Sequence, residues 1–195
     1  MNRKVILGHF ASILLFLIAN NLFAGDPDIY IETTTGKHTV CSGVNLTLTG
    51  HSLFHSNNIA EHKWESTTRG IFAATRDQFA VVNTRETGTH TITYSVTDHD
   101  GNTAITQISI TVNDLPGNNV MVNNKNPEDI KEIQLPADFL ATEGISENKY
   151  QWFRNNVLID GAASSQYKAL EPGSYRLMTT SSEGCHSYSS AIIIR

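Results

Sequence analysis

Cysteine is close to absent from this chain: 195 residues hold only two, Cys41 and Cys185. Their spacing matches no zinc or redox motif, so a structural zinc module and a thioredoxin-like centre are both set aside. Long apolar runs are also missing after the first two dozen residues, and nothing downstream is apolar enough to cross a bilayer as a helix. Helical periodicity is missing from 26–114. So are the Gly-x-Ser-x-Gly elbow, the phosphate-cradling glycine loop and the His-Glu-x-x-His helix, and with them the usual signatures of hydrolases, nucleotide enzymes and metalloproteases. No cofactor is expected.

The apolar run that does exist lies at the start. Arg3 and Lys4 precede an apolar stretch from Val5 to Ala19, followed by Asn20, Asn21 and the small residue Ala24. Basic, apolar and small-residue zones in this order are the layout of a secretory signal peptide, here residues 1–24. The stretch is shorter than the roughly 20 residues a spanning helix wants and is interrupted by His9. No cysteine follows Ala24, which argues against a lipoprotein anchor. Removing 1–24 leaves 12 basic against 19 acidic residues, formally minus seven. A nucleic-acid partner needs a basic face and is not expected. The chain is expected outside the cytoplasm, secreted or at the cell surface, with the periplasm also open, and with no membrane span after cleavage.

What remains reads as short alternating strands. A glycine-led strand, a tight turn with a second glycine and a closing strand run from Gly88 to Val112, and the same plan recurs from Gly173 to Ile194. A lone tryptophan, Trp64 or Trp152, precedes each copy. Within the first copy Ile92, Tyr94 and Val96 point to one face and the intervening threonines and Ser95 to the other, the pattern of a sheet with one core face and one wet face. Such endings close β-sandwich modules, and two endings imply two modules. The expected organisation is all-β: a sandwich over 26–114, a polar linker over 115–127, and a second sandwich over 128–195. The linker either only connects or also carries the first short strand of the second module. In that second module strands are expected over 130–135, 139–142, 149–154, 157–159, 166–169, 174–180 and 186–194. Asn155 and Asn156 mark a two-residue hairpin.

Tyr150-Gln-Trp-Phe-Arg-Asn-Asn, Pro172-Gly-Ser-Tyr175 and Ser182-Glu-Gly-Cys185 resemble the immunoglobulin-like repeats of secreted and surface proteins of Gram-negative bacteria. The first module is similar to PKD-like sandwiches through Val40-Cys-Ser-Gly-Val-Asn-Leu-Thr-Leu and Ile92-Thr-Tyr-Ser-Val-Thr-Asp-His-Asp-Gly-Asn-Thr-Ala. The resemblance implies two tandem immunoglobulin-like β-sandwiches with Trp64, Tyr94, Trp152 and Tyr175 in structural core positions. Tyr175 resembles the tyrosine that closes a corner by bonding back to the backbone, and His90 holds the matching offset in the first module. Family members often pair a cysteine like Cys41 with one like Cys185 inside one module, whereas here each module keeps only one. An interdomain Cys41–Cys185 disulfide is the reading this suggests, with two isolated thiols as the alternative.

The function implied is non-enzymatic: an adhesive, scaffold or protein-interaction module whose partner is a protein or a surface glycan. The alternative is a carbohydrate-binding accessory module, which needs a flat platform of exposed aromatics drawn from Phe54, Phe72, Phe79 and Phe153, with Phe153 the binding candidate. Asp98, Asp100 and Asn102 space their oxygen atoms as a calcium loop does, but too few ligands follow, and a hairpin turn is the simpler account. A metal-dependent hydrolase requires His51, His55 and His62 to converge on one cleft.

Overall fold

The computed structural model describes residues 29–54, 56–142 and 147–195. The signal peptide expected over 1–24 and the histidine at 55 lie outside the described residues. The chain is all-β with immunoglobulin-like strand order.

The first half contains β1 (Ile29–Thr33), β2 (Thr39–Cys41), β3 (Leu46–Ser52), β4 (Ile59–Ser66), β5 (Phe72–Arg76), β6 (Phe79–Val82), β7 (Gly88–Asp98) and β8 (Thr103–Asn113). One sheet runs β1-β3-β6-β5 and the other β2-β8-β7-β4. All pairings are antiparallel except β2 beside β8. This is the A-B-E-D against A′-G-F-C order of an immunoglobulin-like sandwich. Alternation puts Ile92, Tyr94 and Val96 of β7 into the interior, where they meet Leu46 and Leu48 of β3 and Val82 of β6.

The second half contains β9 (Val120–Val122), β10 (Ala137–Ala141), β11 (Lys149–Arg154), β12 (Val157–Leu158), β13 (Gln166–Ala169), β14 (Gly173–Thr180), β15 (His186–Tyr188) and β16 (Ile192–Ile194). Here β13-β10-β9 faces β12-β11-β14, with β15 and β16 both paired to β14. Its interior is aromatic. Phe139 lies 5.3 Å from Trp152 and 5.2 Å from Tyr175, and Trp152 lies 5.8 Å from Tyr167. Ring pairs at such spacings add about 0.5–1.5 kcal/mol each beyond area burial. Each half has its own apolar interior, and among the described residues no ladder joins the two.

The two tryptophans are not equivalent. Trp152 is fully buried, with its indole N–H donated to the Ser164 carbonyl at 2.9 Å. Trp64 also packs against its interior but is only half-buried, at the margin of the core rather than its centre. The reason is position in the sheet: β11 is flanked on both sides, whereas β4 is an edge strand. Tyr94, also expected in the core, fills the centre of the first interior, fully buried, 4.5 Å from the Trp64 ring and bonded through its hydroxyl to His62 Nδ1 at 2.7 Å. Burial pushes the Tyr94 phenol up to about 12.

Other differences from the sequence expectation have local causes. The segment 130–135 is not a strand. It follows a 3-10 turn at Pro127–Asp129 and precedes Pro136, yet Ile133 is buried and Ile130 and Leu135 pack on the same interior. Apolar spacing there reported burial without a ladder. β9 lies within 115–127, as the reading in which that stretch carries the first short strand of the second module has it, whereas β2, three residues long, is not among the expected strands. The closing strand of the second half is broken at Ser189. Its hydroxyl accepts the Leu177 N–H at 2.9 Å while its N–H donates to the Leu177 carbonyl at 2.8 Å, so the break leaves both β14 groups satisfied.

Gly50 in β3 has a packing reason for being glycine: a Cβ there would sit 2.2 Å from the Tyr94 ring. Overpacking a filled core costs about 1–3 kcal/mol. Gly50→Ala is therefore expected to lower stability by about that amount in urea unfolding. A change within roughly 0.5 kcal/mol, the range of ordinary surface substitutions, contradicts the close approach.

Candidate functional site

The two closing turns are built alike. In the first, Asp98 N–H donates to the Asn102 carbonyl at 2.9 Å and Gly101 N–H to the Asp98 carbonyl at 3.1 Å. In the second, Ser181 N–H donates to the Cys185 carbonyl at 2.8 Å and Gly184 N–H to the Ser181 carbonyl at 3.0 Å. Gly101 and Gly184 share a φ of 84°, the left-handed conformation that glycine adopts without strain. Asn102 and Cys185 thus hold the same place in two copies of one turn.

In the second copy that place reaches across to the first sandwich. Cys41, at the end of β2 and opposite Asn113 of β8, is bonded to Cys185 with Cα atoms 5.5 Å apart. Asn113 is the last residue of β8, so the bond lies where the chain leaves the first sandwich. The connecting segment is fastened close by. Ser187 donates its hydroxyl to the Pro116 carbonyl at 2.6 Å, and the Asn118 side-chain amide donates to the Tyr188 carbonyl at 2.7 Å. Cys185 and Pro116 are buried and Cys41 is half-buried. The bond spans 144 residues, and closing a loop of that size restrains the unfolded chain by about 5 kcal/mol on a chain-entropy model.

In the first copy the same place stabilises the turn itself. The Asp98 carboxylate accepts the backbone N–H of Asp100 at 3.0 Å and of Asn102 at 2.8 Å, the Asn102 amide at 2.9 Å and the Asn58 amide at 3.4 Å. Asp98 is 5% exposed. Its lone pairs are engaged by nitrogen donors, so Asp98, Asp100 and Asn102 form a hydrogen-bonded turn, not a set of oxygens aimed at a cation. Among the described residues no group of three or more His, Cys, Asp and Glu side chains is placed to hold a metal ion. The Asn102 amide, ahead of the backbone N–H bonds, holds the Asp98 carboxyl below the usual carboxylate range.

The corner residues perform one task with two chemistries. Tyr175 donates its hydroxyl to the Glu171 carbonyl at 2.8 Å, four residues back, and His90 donates Nε2–H to the Glu86 carbonyl at 2.8 Å, also four back. His90 Nδ1 meets the Thr68 hydroxyl at 3.1 Å. The described loop histidines have separate partners on separate sheets: His51 of β3 bonds Glu32 at 3.0 Å and stacks on Tyr30, whereas His62 of β4 bonds Tyr94. They are not gathered into a cleft.

Of the candidate platform aromatics, Phe54 and Phe72 pack against the first interior and Phe79 is 45% exposed on β6. Phe153 is half-buried on the outer face of β11, 6.0 Å from Tyr188 at an interplanar angle of 58°. Rings so inclined do not make a flat surface for a sugar ring. The same outer face carries exposed Leu158 opposite Phe153, and Ile193 lies farther along it.

No protein-family model matches the chain, and no curated protein matches it in sequence. Several solved structures are similar in strand layout. Murine CEACAM1b is 11% identical over 86% of this chain and 99% of its own, with a TM-score of 0.40. The fibronectin(III)-like modules of Clostridium thermocellum CbhA are 10% identical over 85% of this chain and 94% of their own, with a TM-score of 0.41. Bacteroides ovatus SGBP-B of a mixed-linkage glucan utilization locus, solved with a mixed-linkage heptasaccharide, is 13% identical over 86% of this chain and 47% of its own, with a TM-score of 0.36. At these identities and scores nothing about ligand or partner passes to this chain.

The Asp98 turn makes a pH-dependent contribution whose sign follows from its lowered carboxyl. The contribution is complete above the ordinary carboxylate value of about 3.9 and disappears as pH falls through the lower folded-state value. Asp98→Asn is expected to be less stable than the parent at pH 7, with the gap closing toward pH 2 in thermal melts. A gap independent of pH contradicts the assignment.

Proposed function

We propose that this chain is an exported, non-enzymatic binding protein in which two immunoglobulin-like sandwiches, the first PKD-like, act as one linked module at the cell surface or outside the cell. Its role is adhesive, scaffolding or protein-interacting, and its partner is a protein surface. The observation that carries the reading is the Cys41–Cys185 bond. A disulfide between two structural units persists in an oxidising compartment and is uncommon in a reducing one. Held together, the two sandwiches present exposed loops and strand edges from one scaffold, the arrangement by which such folds bind. The paired cysteines also accord with removal of residues 1–24 on export.

Fractionation of the producing cells, followed by intact mass after alkylation without reductant, tests this. The expected species lacks residues 1–24, sits in the envelope or the medium and gains no alkyl group until reduced, when it gains two. A full-length cytoplasmic species, or two alkylated thiols in the exported protein, contradicts the reading. Replacing both cysteines by serine is expected to cost about 2–5 kcal/mol of stability.

A further inference from the structure

In the first sandwich the final strand is not left bare. β2 lies parallel to β8 with Thr39 opposite Thr111, Val40 opposite Val112 and Cys41 opposite Asn113. Thr111 N–H donates to the His38 carbonyl and Ser42 N–H to the Asn113 carbonyl, both at 2.8 Å. Val40 is buried between the sheets.

The register carries over to the second sandwich residue by residue. Gly88 and Thr89 face Val112 and Thr111, as Gly173 and Ser174 face Ile194 and Ile193. Ile193, Ile194 and Arg195 therefore hold the places of residues 111, 112 and 113. Among the described residues β16 pairs only with β14. Where the equivalent of β2 would lie there is an open groove of about 740 Å³ between β16, β9 and the 126–133 segment. Val120, Ile130, Ile133 and Ile192 supply its apolar lining.

The backbone along this groove is turned for pairing. Ser174 donates its N–H to the Asn155 side-chain oxygen at 2.9 Å and accepts the Asn155 N–H at 2.7 Å, so both its main-chain groups face β11. Residues opposite one another in an antiparallel ladder either exchange both bonds or none. Ile193, opposite Ser174, thus turns its N–H and carbonyl away from β14, as Thr111 does toward β2. The facing wall contributes three carboxylates, Glu128, Asp129 and Glu132, against Lys131, with Arg195 of the β16 side as the other cation of the lining.

We propose that this groove takes an extended segment of a partner polypeptide, added as a parallel strand beside Ile193–Arg195, with one apolar residue seated between the sheets as Val40 is and a basic residue set toward Glu128, Asp129 and Glu132. Main-chain pairing supplies the affinity and the seated side chain the selectivity, as in other strand additions. The inference rests on the reading of the chain as a protein-binding module and names the surface and the segment it binds.

The test uses the whole oxidised protein, isotopically labelled, titrated with a synthetic peptide of residues 36–43 carrying Cys41→Ser, a segment that offers Val40 with Lys37 and His38. Amide shifts are expected at residues 192–195 and 120–121. A peptide with Lys37→Glu and His38→Glu binds less tightly. Ile193→Pro in the protein removes an outward N–H without removing a bond to β14, so it is expected to keep the parent melting temperature and weaken binding about tenfold. Ile193→Ala, which keeps that N–H, binds within about threefold of the parent, since a lost exposed side chain costs little. No shifts, shifts confined to other surfaces, or unchanged binding by Ile193→Pro overturn the proposal. A dimer seen in sedimentation and abolished by Ile193→Pro assigns the groove to a second copy and likewise overturns it. A partner recovered from envelope or medium that binds Ile193→Pro as well as the parent sinks the groove and leaves the binding-module reading standing.

Discussion

One covalent bond sets what this molecule can be. Two sandwiches with separate interiors and a short polar connection would otherwise behave as beads on a string, because nothing in either core depends on the other. The Cys41–Cys185 bond ties the end of β2 to the turn that opens β15, and the connecting segment is bonded in alongside through Ser187 and Asn118. In the binding role proposed above, a partner meets two halves tethered at this junction, and the ordering cost of binding falls accordingly.

That bond falls where two copies of one plan differ at matching places. The closing turn keeps its glycine in both, but one copy fills the next position with Asn102, which braces Asp98, and the other with Cys185, which leaves its own sandwich. The corner keeps its bond to a carbonyl four residues back, through imidazole in one copy and phenol in the other. The final strand keeps its register, covered by β2 in one copy and open in the other. In each case the backbone task is held and the side chain or the neighbour changes, so the differences between the halves are where to look for function.

Much of the fold is legible from the residues. Strands with one core face announce themselves by alternation, and β11 and β13 fall where their patterns end. Asn155 and Asn156, with φ of 51° and 64°, make the tight turn that their side chains tolerate. What escapes is what depends on distant partners. The three-residue β2 carries too few residues for a period, and its pairing is fixed by β8 far along the chain. Ile130, Ile133 and Leu135 look like a strand because burial is all that apolar spacing reports. Trp64 looks like Trp152 because sequence shows which strand a residue is on, but not whether that strand is at a sheet edge. The groove beside β16 is legible only as the absence of a neighbour, which requires both sandwiches to be compared in register.

Residual dipolar couplings recorded for the amides of both halves, before and after reduction, address the central claim most directly. The account requires one alignment tensor to fit both sandwiches in the oxidised protein and two different tensors once Cys41 and Cys185 are reduced. Two tensors already in the oxidised protein, or a single tensor that survives reduction unchanged, would show that the disulfide does not set the placement of the two halves.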